Sequence, residues 1–170
     1  MNDDSIEWKK YEYGSNNAYK TLNIGGTSPK YVELRAASGV TNACFSAKES
    51  GSSTIYGWQF IINNNTSNGG GYVNLEGNCM ALLNSDDPPN SFSTSGHQYC
   101  FAYLFQNTKD LTYVSPDFLP AKNLVIGVYS NMFTDSGICV SPILPAYPFA
   151  QSCYLNMFSF SNITHAEILA

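Results

Sequence analysis

The chain contains two histidines, His97 and His165, so chemistry that needs an imidazole has only two places to occur. Ser95-Gly96-His97 sets a hydroxyl beside the first. Adjacency in sequence is not triad geometry, and no G-x-S-x-G elbow accompanies it. His97 and Cys100 stand three apart, a spacing some metal sites use. On a strand, residues three apart face opposite sides, so these two could not share an ion. Paired carboxylates occur at Asp3-Asp4 and Asp86-Asp87. Neither pair sits among apolar residues that would raise a carboxyl into the range of acid–base work. Asp86-Asp87-Pro88-Pro89-Asn90 also lacks the alternating acids and central glycine of a calcium loop. Gly25-Gly26 and Gly69-Gly70-Gly71 lack the Lys-Ser/Thr that a phosphate loop requires. The expectation is a chain with no catalytic residues, no metal and no cofactor, and so not an enzyme.

Composition turns attention from chemistry to surface. Of 170 residues only 12% are charged and 14% are aromatic, and the net charge is −5. A typical globular chain has about 25% charged residues. The eight bases are scattered, apart from Lys9-Lys10, so no basic stripe exists to neutralise phosphates and nucleic acid is not expected as a partner. Residues 50–170 hold seven acids and two bases and cover themselves with Asn, Ser, Thr, Gly and Tyr instead. That is the look of an amide-rich soluble face, or of one that lies against a partner, since interface centres lose Lys, Glu and Asp and gain aromatics. The start, Met1-Asn2-Asp3-Asp4-Ser5, has no basic or apolar region of a secretory signal, and no apolar run is long enough for membrane insertion. Cytosolic synthesis is the expectation. Cys44, Cys79, Cys100, Cys139 and Cys153 contain no C-x-x-C, and several stand between apolar neighbours, as in Ile138-Cys139-Val140. Buried free thiols are expected.

The elements that would carry such a surface read as strands. Helical periodicity is weak, and no internal repeat is evident at 20 to 50 residues. Tyr56, Trp58, Phe60 and Ile62 alternate with their neighbours. So do Tyr99, Phe101, Tyr103 and Phe105, with Cys100, Ala102 and Leu104 between them, as in a strand buried on both faces. Further strands are expected over Leu124 to Tyr129, Tyr154 to Phe160 and Ile163 to Leu169. Residues 63–71 and 86–90 read as loops. The predicted fold is all-β, a single β-sandwich or jelly-roll-like domain with little helix, whose core holds Trp58, Phe60, Phe101, Phe105, Ile126 and Val128. Residues 1–17 would be an N-terminal arm or edge strand, and residues 18–170 the domain.

Two segments stand out as binding candidates. Pro142 to Phe149 holds three prolines, which bar helix and a central strand, yet it is apolar. It is expected to be a loop that contacts a partner through Ile143, Leu144, Tyr147 and Phe149. Trp58, followed by Asn64 and Asn65, holds the ingredients of sugar binding: a ring for the apolar sugar face and amides for its hydroxyls.

The ending from Phe158 to Ile168 resembles the closing strand of jelly-roll modules, including carbohydrate-binding ones. The whole chain, short and rich in Asn, Ser, Gly and Tyr but poor in charge, resembles small all-β structural proteins of tailed-bacteriophage virions. That resemblance implies a non-catalytic tail, baseplate, neck or capsid-decoration component assembled in the host cytoplasm. It implies association with other virion proteins and with itself as a homo-oligomer. The alternative is a carbohydrate-binding, lectin-like module that contacts a cell-surface glycan.

Overall fold

The computed structural model describes residue 34 and residues 46–48, 55–57, 59–60, 72–83, 98–121, 123–145 and 148–169. Residues 1–17 and the boundary at residue 18 lie outside them. Among the described residues there are six short strands: β1 Ser46–Lys48, β2 Ile55–Gly57, β3 Val73–Leu75, β4 Leu111–Val114, β5 Leu144–Pro145 and β6 Ile168–Leu169. They form three two-stranded sheets. β1 and β2 pair antiparallel, while β3–β4 and β5–β6 pair parallel. These pairs among the described residues do not show a β-sandwich or a jelly roll. Two 3-10 helices, Cys79–Leu82 and Pro116–Phe118, accompany them, and among the described residues there is no α-helix. The first is capped by the Asn78 side chain, which accepts from the Met80 N–H at 2.7 Å.

What organises these pieces is a ladder of turns. Residues 98–107, 126–135 and 151–160 are runs of overlapping turns, not the strands expected at Tyr99 to Phe105, Leu124 to Tyr129 and Tyr154 to Phe160. In each run, every second N–H closes a turn onto the carbonyl three residues back, as Leu104 does onto Phe101 and Met132 onto Tyr129. The N–H groups in between reach the next run. Phe101, Tyr103 and Phe105 donate to the carbonyls of Val128, Ser130 and Met132. Tyr129, Asn131 and Phe133 donate in turn to Cys153, Leu155 and Met157. The three runs therefore lie parallel and in register, and their buried N–H groups are satisfied without a conventional sheet.

Every fourth residue of each run has a left-handed backbone. Tyr99, Tyr103 and Asn107, then Gly127, Asn131 and Asp135, then Ser152, Asn156 and Phe160 all have φ between +52° and +63°. Gly, Asn and Asp adopt this conformation at least cost, and they hold five of the nine positions. The runs superpose as Tyr99 on Gly127 on Ser152, and the sequences follow: Tyr103-Leu104-Phe105, Asn131-Met132-Phe133 and Asn156-Met157-Phe158 are one motif three times. The chain thus contains an internal repeat, its equivalent positions 28 and then 25 residues apart, contrary to the sequence reading. A period of four is also a multiple of two, so aromatics at 99, 101, 103 and 105 mimic a strand. In the structure Phe101 and Phe105 enter the core, while Tyr99 and Tyr103 stand at the left-handed turns and are only partly buried.

After each run the chain enters a short extended stretch, followed after the first two runs by a proline-containing corner, and the extended stretches stack as well. β3 pairs with β4, with an irregularity between Val73 and Asn74. Gly137 N–H reaches Thr108 O at 3.2 Å and Ile143 N–H reaches Pro116 O at 3.0 Å, which ties the third layer to the second. The bridge from Val140 to His165 and the β5–β6 pair tie the third to the fourth. A first layer continues the stack on the other side, where Phe60 N–H reaches Leu104 O at 2.7 Å and Val73 N–H reaches Asp110 O at 2.8 Å. The described residues therefore form four stacked parallel layers, the plan of a solenoid, in which each layer buries its neighbour.

The core runs down the stack in columns. Phe60, Phe105, Phe133 and Phe158 follow one another with ring centroids 5.7, 5.7 and 6.0 Å apart, the last two pairs nearly parallel. Phe101, Tyr129 and Tyr154 form a second column, each step 5.9 Å. Leu104, Met132 and Met157 fill the space between. Phe101, Phe105 and Val128 are buried as expected core residues, Phe60 and Ile126 are only partly so, and Trp58 lies outside the described residues.

Candidate interaction surfaces

The corner after the third run decides the fate of the proline-rich segment. Pro142 is fully buried, and Leu144 is 3% exposed in the main core. Leu144 N–H also donates to Glu167 O at 3.0 Å as β5 pairs with β6. A proline fits here because the strand is two residues long and Pro145 is its last. Leu144 is thus core packing, and this half of the segment is no free arm. Ile143 is half-buried, held by its bond to Pro116. Phe149 is 59% exposed, with its ring edge-on to Tyr154 at 6.3 Å. Tyr147 and the sugar-binding candidates Trp58, Asn64 and Asn65 lie outside the described residues. The three described partner candidates are therefore not one surface, and of them only Phe149 stands largely in solvent.

The residues first considered for chemistry are dispersed. His97, Asp86 and Asp87 lie outside the described residues, while Cys100 is fully buried. His165 is exposed, and only its backbone carbonyl is engaged, by Ser141 N–H at 3.4 Å. Among the described residues no group of three His, Cys, Asp or Glu side chains could hold a metal ion, and no helix is long and apolar enough to cross a membrane. Lys109 and Asp135 form an exposed ion pair between the second and third layers. A pair so open to water contributes less than about 1 kcal/mol.

Cys79, Cys100 and Cys153 are buried free thiols, but Cys139 is exposed. Its neighbours explain the difference: Ile138 points into the core, whereas Val140 is 60% exposed, so the apolar context in sequence spans both sides of the wall. Alkylation of the native protein is expected to label Cys139 before Cys79, Cys100 or Cys153, as read by peptide mapping. Equal labelling of Cys100 and Cys139 in the native protein would contradict the burial described.

Burial pushes the thiols of Cys79 and Cys153 and the phenols of Tyr129 and Tyr154 above their ordinary values. The Tyr129 hydroxyl makes no hydrogen bond of ordinary geometry, and its electrostatic neighbours are Cys79, Tyr154 and Cys100. These groups stay neutral when folded and ionise once unfolded. Their contribution to stability is therefore complete below the ordinary thiol value of 9.0 and falls as pH rises past it. The phenols add to the loss above their ordinary 10.0. The urea midpoint should hold from about pH 7 to about pH 8.5 and decline steeply by about pH 10. A midpoint that does not change up to that pH would refute this burial pattern.

One surface that sequence reading missed runs along the strand side of the stack. Asn74 and Tyr113 are paired across β3 and β4, and Val140 and His165 are bridged between the third and fourth layers. The bonds from Gly137 to Thr108 and from Ile143 to Pro116 set the stretches that hold Tyr113 and Val140 side by side. Tyr72, two residues before Asn74, projects on the same side. Tyr72 is 83% exposed and Tyr113 43%, and Asn74 and His165 are also exposed. None of the five is Asp, Glu, Lys or Arg. The signal that could have found this row was the repeat, which fixes which residue of each layer faces out. No family model matches the chain, and no curated protein or solved structure is similar to it.

Proposed function

We propose that this chain is a non-catalytic association module, a stack of coils that joins other protein chains through exposed faces poor in charge. The observation that supports this best is the row of Tyr72, Asn74, Tyr113, Val140 and His165. It combines aromatic, aliphatic and amide groups without a formal charge, the composition favoured at the centre of protein interfaces. Repeat stacks use such extended faces for binding. The low charge and the Asn, Ser, Gly and Tyr content of the whole chain favour, as context, a structural component of a tailed-bacteriophage virion assembled in the host cytoplasm. Association with copies of itself belongs to the same reading.

The test is the mass of the native chain as a function of concentration, beside the double variant Tyr113→Ser, Val140→Ser. Both side chains are exposed, so the variant should keep its melting temperature to within a few degrees. The native chain is expected to associate at micromolar concentration, and the variant to stay monomeric. A native chain that remains monomeric at every concentration, and gains no mass from virion proteins mixed with it, would overturn the reading.

A further inference from the structure

The strand-side row holds one group unlike the others. Tyr72, Asn74, Tyr113 and Val140 offer two phenols, an amide and an aliphatic group. His165 offers an imidazole, the one side-chain type whose ordinary titration falls between about pH 5 and pH 8. Its bridge to Val140 sets it beside a side chain that is 60% exposed, on the same face of the ladder.

The surroundings leave a charge on that ring without a partner. Among the described residues no carboxylate is paired with His165; the exposed ion pair of this wall joins Lys109 to Asp135. The third-layer stretch bridged to it, residues 137–145, has no Asp, Glu, Lys or Arg, and Cys139 is its one titratable side chain. In its own layer Glu167 follows two residues on, with its backbone N–H directed at the Ser141 hydroxyl at 3.4 Å. Farther along the row come the Tyr113 phenol, then Asp110 and Asp117 before and after β4, and Glu76 after β3. In the free chain the ring is exposed, and water solvates it in either state. Under a partner that water is lost. A neutral imidazole can still hydrogen-bond there, but an imidazolium among uncharged groups loses more than it gains.

We infer that association through the row is switched by acid: a proton on His165 releases the partner, and the row holds it while that imidazole is neutral. This adds a regulation to the surface named above and rests on that surface being an interface.

The test is the dissociation constant for self-association of the native chain, measured by sedimentation at about pH 7.5 and about pH 5.5 at constant ionic strength. It should rise at least about fivefold in acid, and about tenfold for one imidazole held fully neutral in the complex. The direction is informative. The chain carries a net charge of −5 at pH 7, so general loss of repulsion between copies in acid would tighten association instead. His97→Gln should keep the rise, which assigns it to His165, the other histidine. In His165→Gln the ratio between the two pH values should fall below about twofold, and because a ratio is read, a weaker association of that variant does not enter. A measurement on the native chain alone stands beside these. Dissociation on dilution at about pH 6.5 should take up protons, seen as a heat that depends on the ionisation enthalpy of the buffer.

A smaller rise, tighter association in acid, dilution without proton uptake, loss of the rise in His97→Gln or its survival in His165→Gln would each overturn the inference and leave the association reading standing. A native chain that stays monomeric at both pH values would overturn that reading, and the inference with it.

Discussion

Gly137→Ala should unfold the stack or come close to it. A Cβ at Gly137 would stand 2.0 Å from the Lys109 carbonyl oxygen and 3.0 Å from that of Leu111. Both obstacles are backbone of the neighbouring layer, so no side chain can swing aside. Relief requires the second and third layers to separate, which breaks the Gly137 N–H bond to Thr108 and disturbs the start of β4. The expected cost is about 4 kcal/mol or more, the range reserved for substitutions that a fold cannot absorb. Gly77→Ala is the matched control. Its φ of +85° makes a side chain unfavourable, but nothing lies within 4 Å of its Cβ. It should cost only about 1–2 kcal/mol. Urea unfolding of the two variants checks the contrast, and equal costs would refute the close approach of the layers.

Phe133→Ala should cost about 3–5 kcal/mol, the range for deleting a fully buried aromatic ring. Phe133 is an inner member of its column. Its ring lies 5.7 Å from Phe105 and 6.0 Å from Phe158, both nearly parallel, and 6.5 Å from Phe118. It has no solvent exposure, and neighbours above and below are held by the backbone ladder, so the cavity cannot close. Phe158→Ala should cost clearly less, because that ring is half-buried in the fourth layer and, among the described residues, has a stacked neighbour on one side only. The urea midpoint gives the order directly. A larger loss for Phe158 than for Phe133 would contradict the position of the two rings.

Much of the core was legible in the sequence, but the geometry that builds it was not. Phe101, Phe105 and Val128 were expected inside because they are large and apolar, and burial follows from that alone. The element type failed where two periods coincide. Alternating aromatics at 99, 101, 103 and 105 satisfy a strand, and only the left-handed backbone at Tyr99 and Tyr103 tells a ladder of turns apart from one. Asn156 was read as part of a strand from Tyr154 to Phe160, and Asn131 and Asp135 drew no reading, although all three mark the turns of the repeat. The repeat itself was hidden by unequal spacing between runs and by Tyr99 and Tyr103 standing where later runs have Gly127 and Asn131.

The place of the candidate surface was not legible in the sequence. Low charge and high aromatic content pointed to an interface, and Phe149 is exposed as a partner-contacting residue would be. Leu144 was misassigned because prolines on either side suggested a loop, whereas a two-residue strand tolerates them and buries the leucine between. The row through Asn74, Tyr113, Val140 and His165 joins residues far apart in sequence, and only the register of the layers brings it together.

The most direct test of the stacked ladder is nuclear magnetic resonance detection of couplings across its hydrogen bonds. The account predicts couplings from the amide nitrogens of Phe101, Tyr103 and Phe105 to the carbonyl carbons of Val128, Ser130 and Met132. It predicts the same from Tyr129, Asn131 and Phe133 to Cys153, Leu155 and Met157. Both sets rise together in residue number, as parallel layers require. Couplings in which one number rises while the other falls would mean antiparallel strands, and would contradict the stacked-layer architecture.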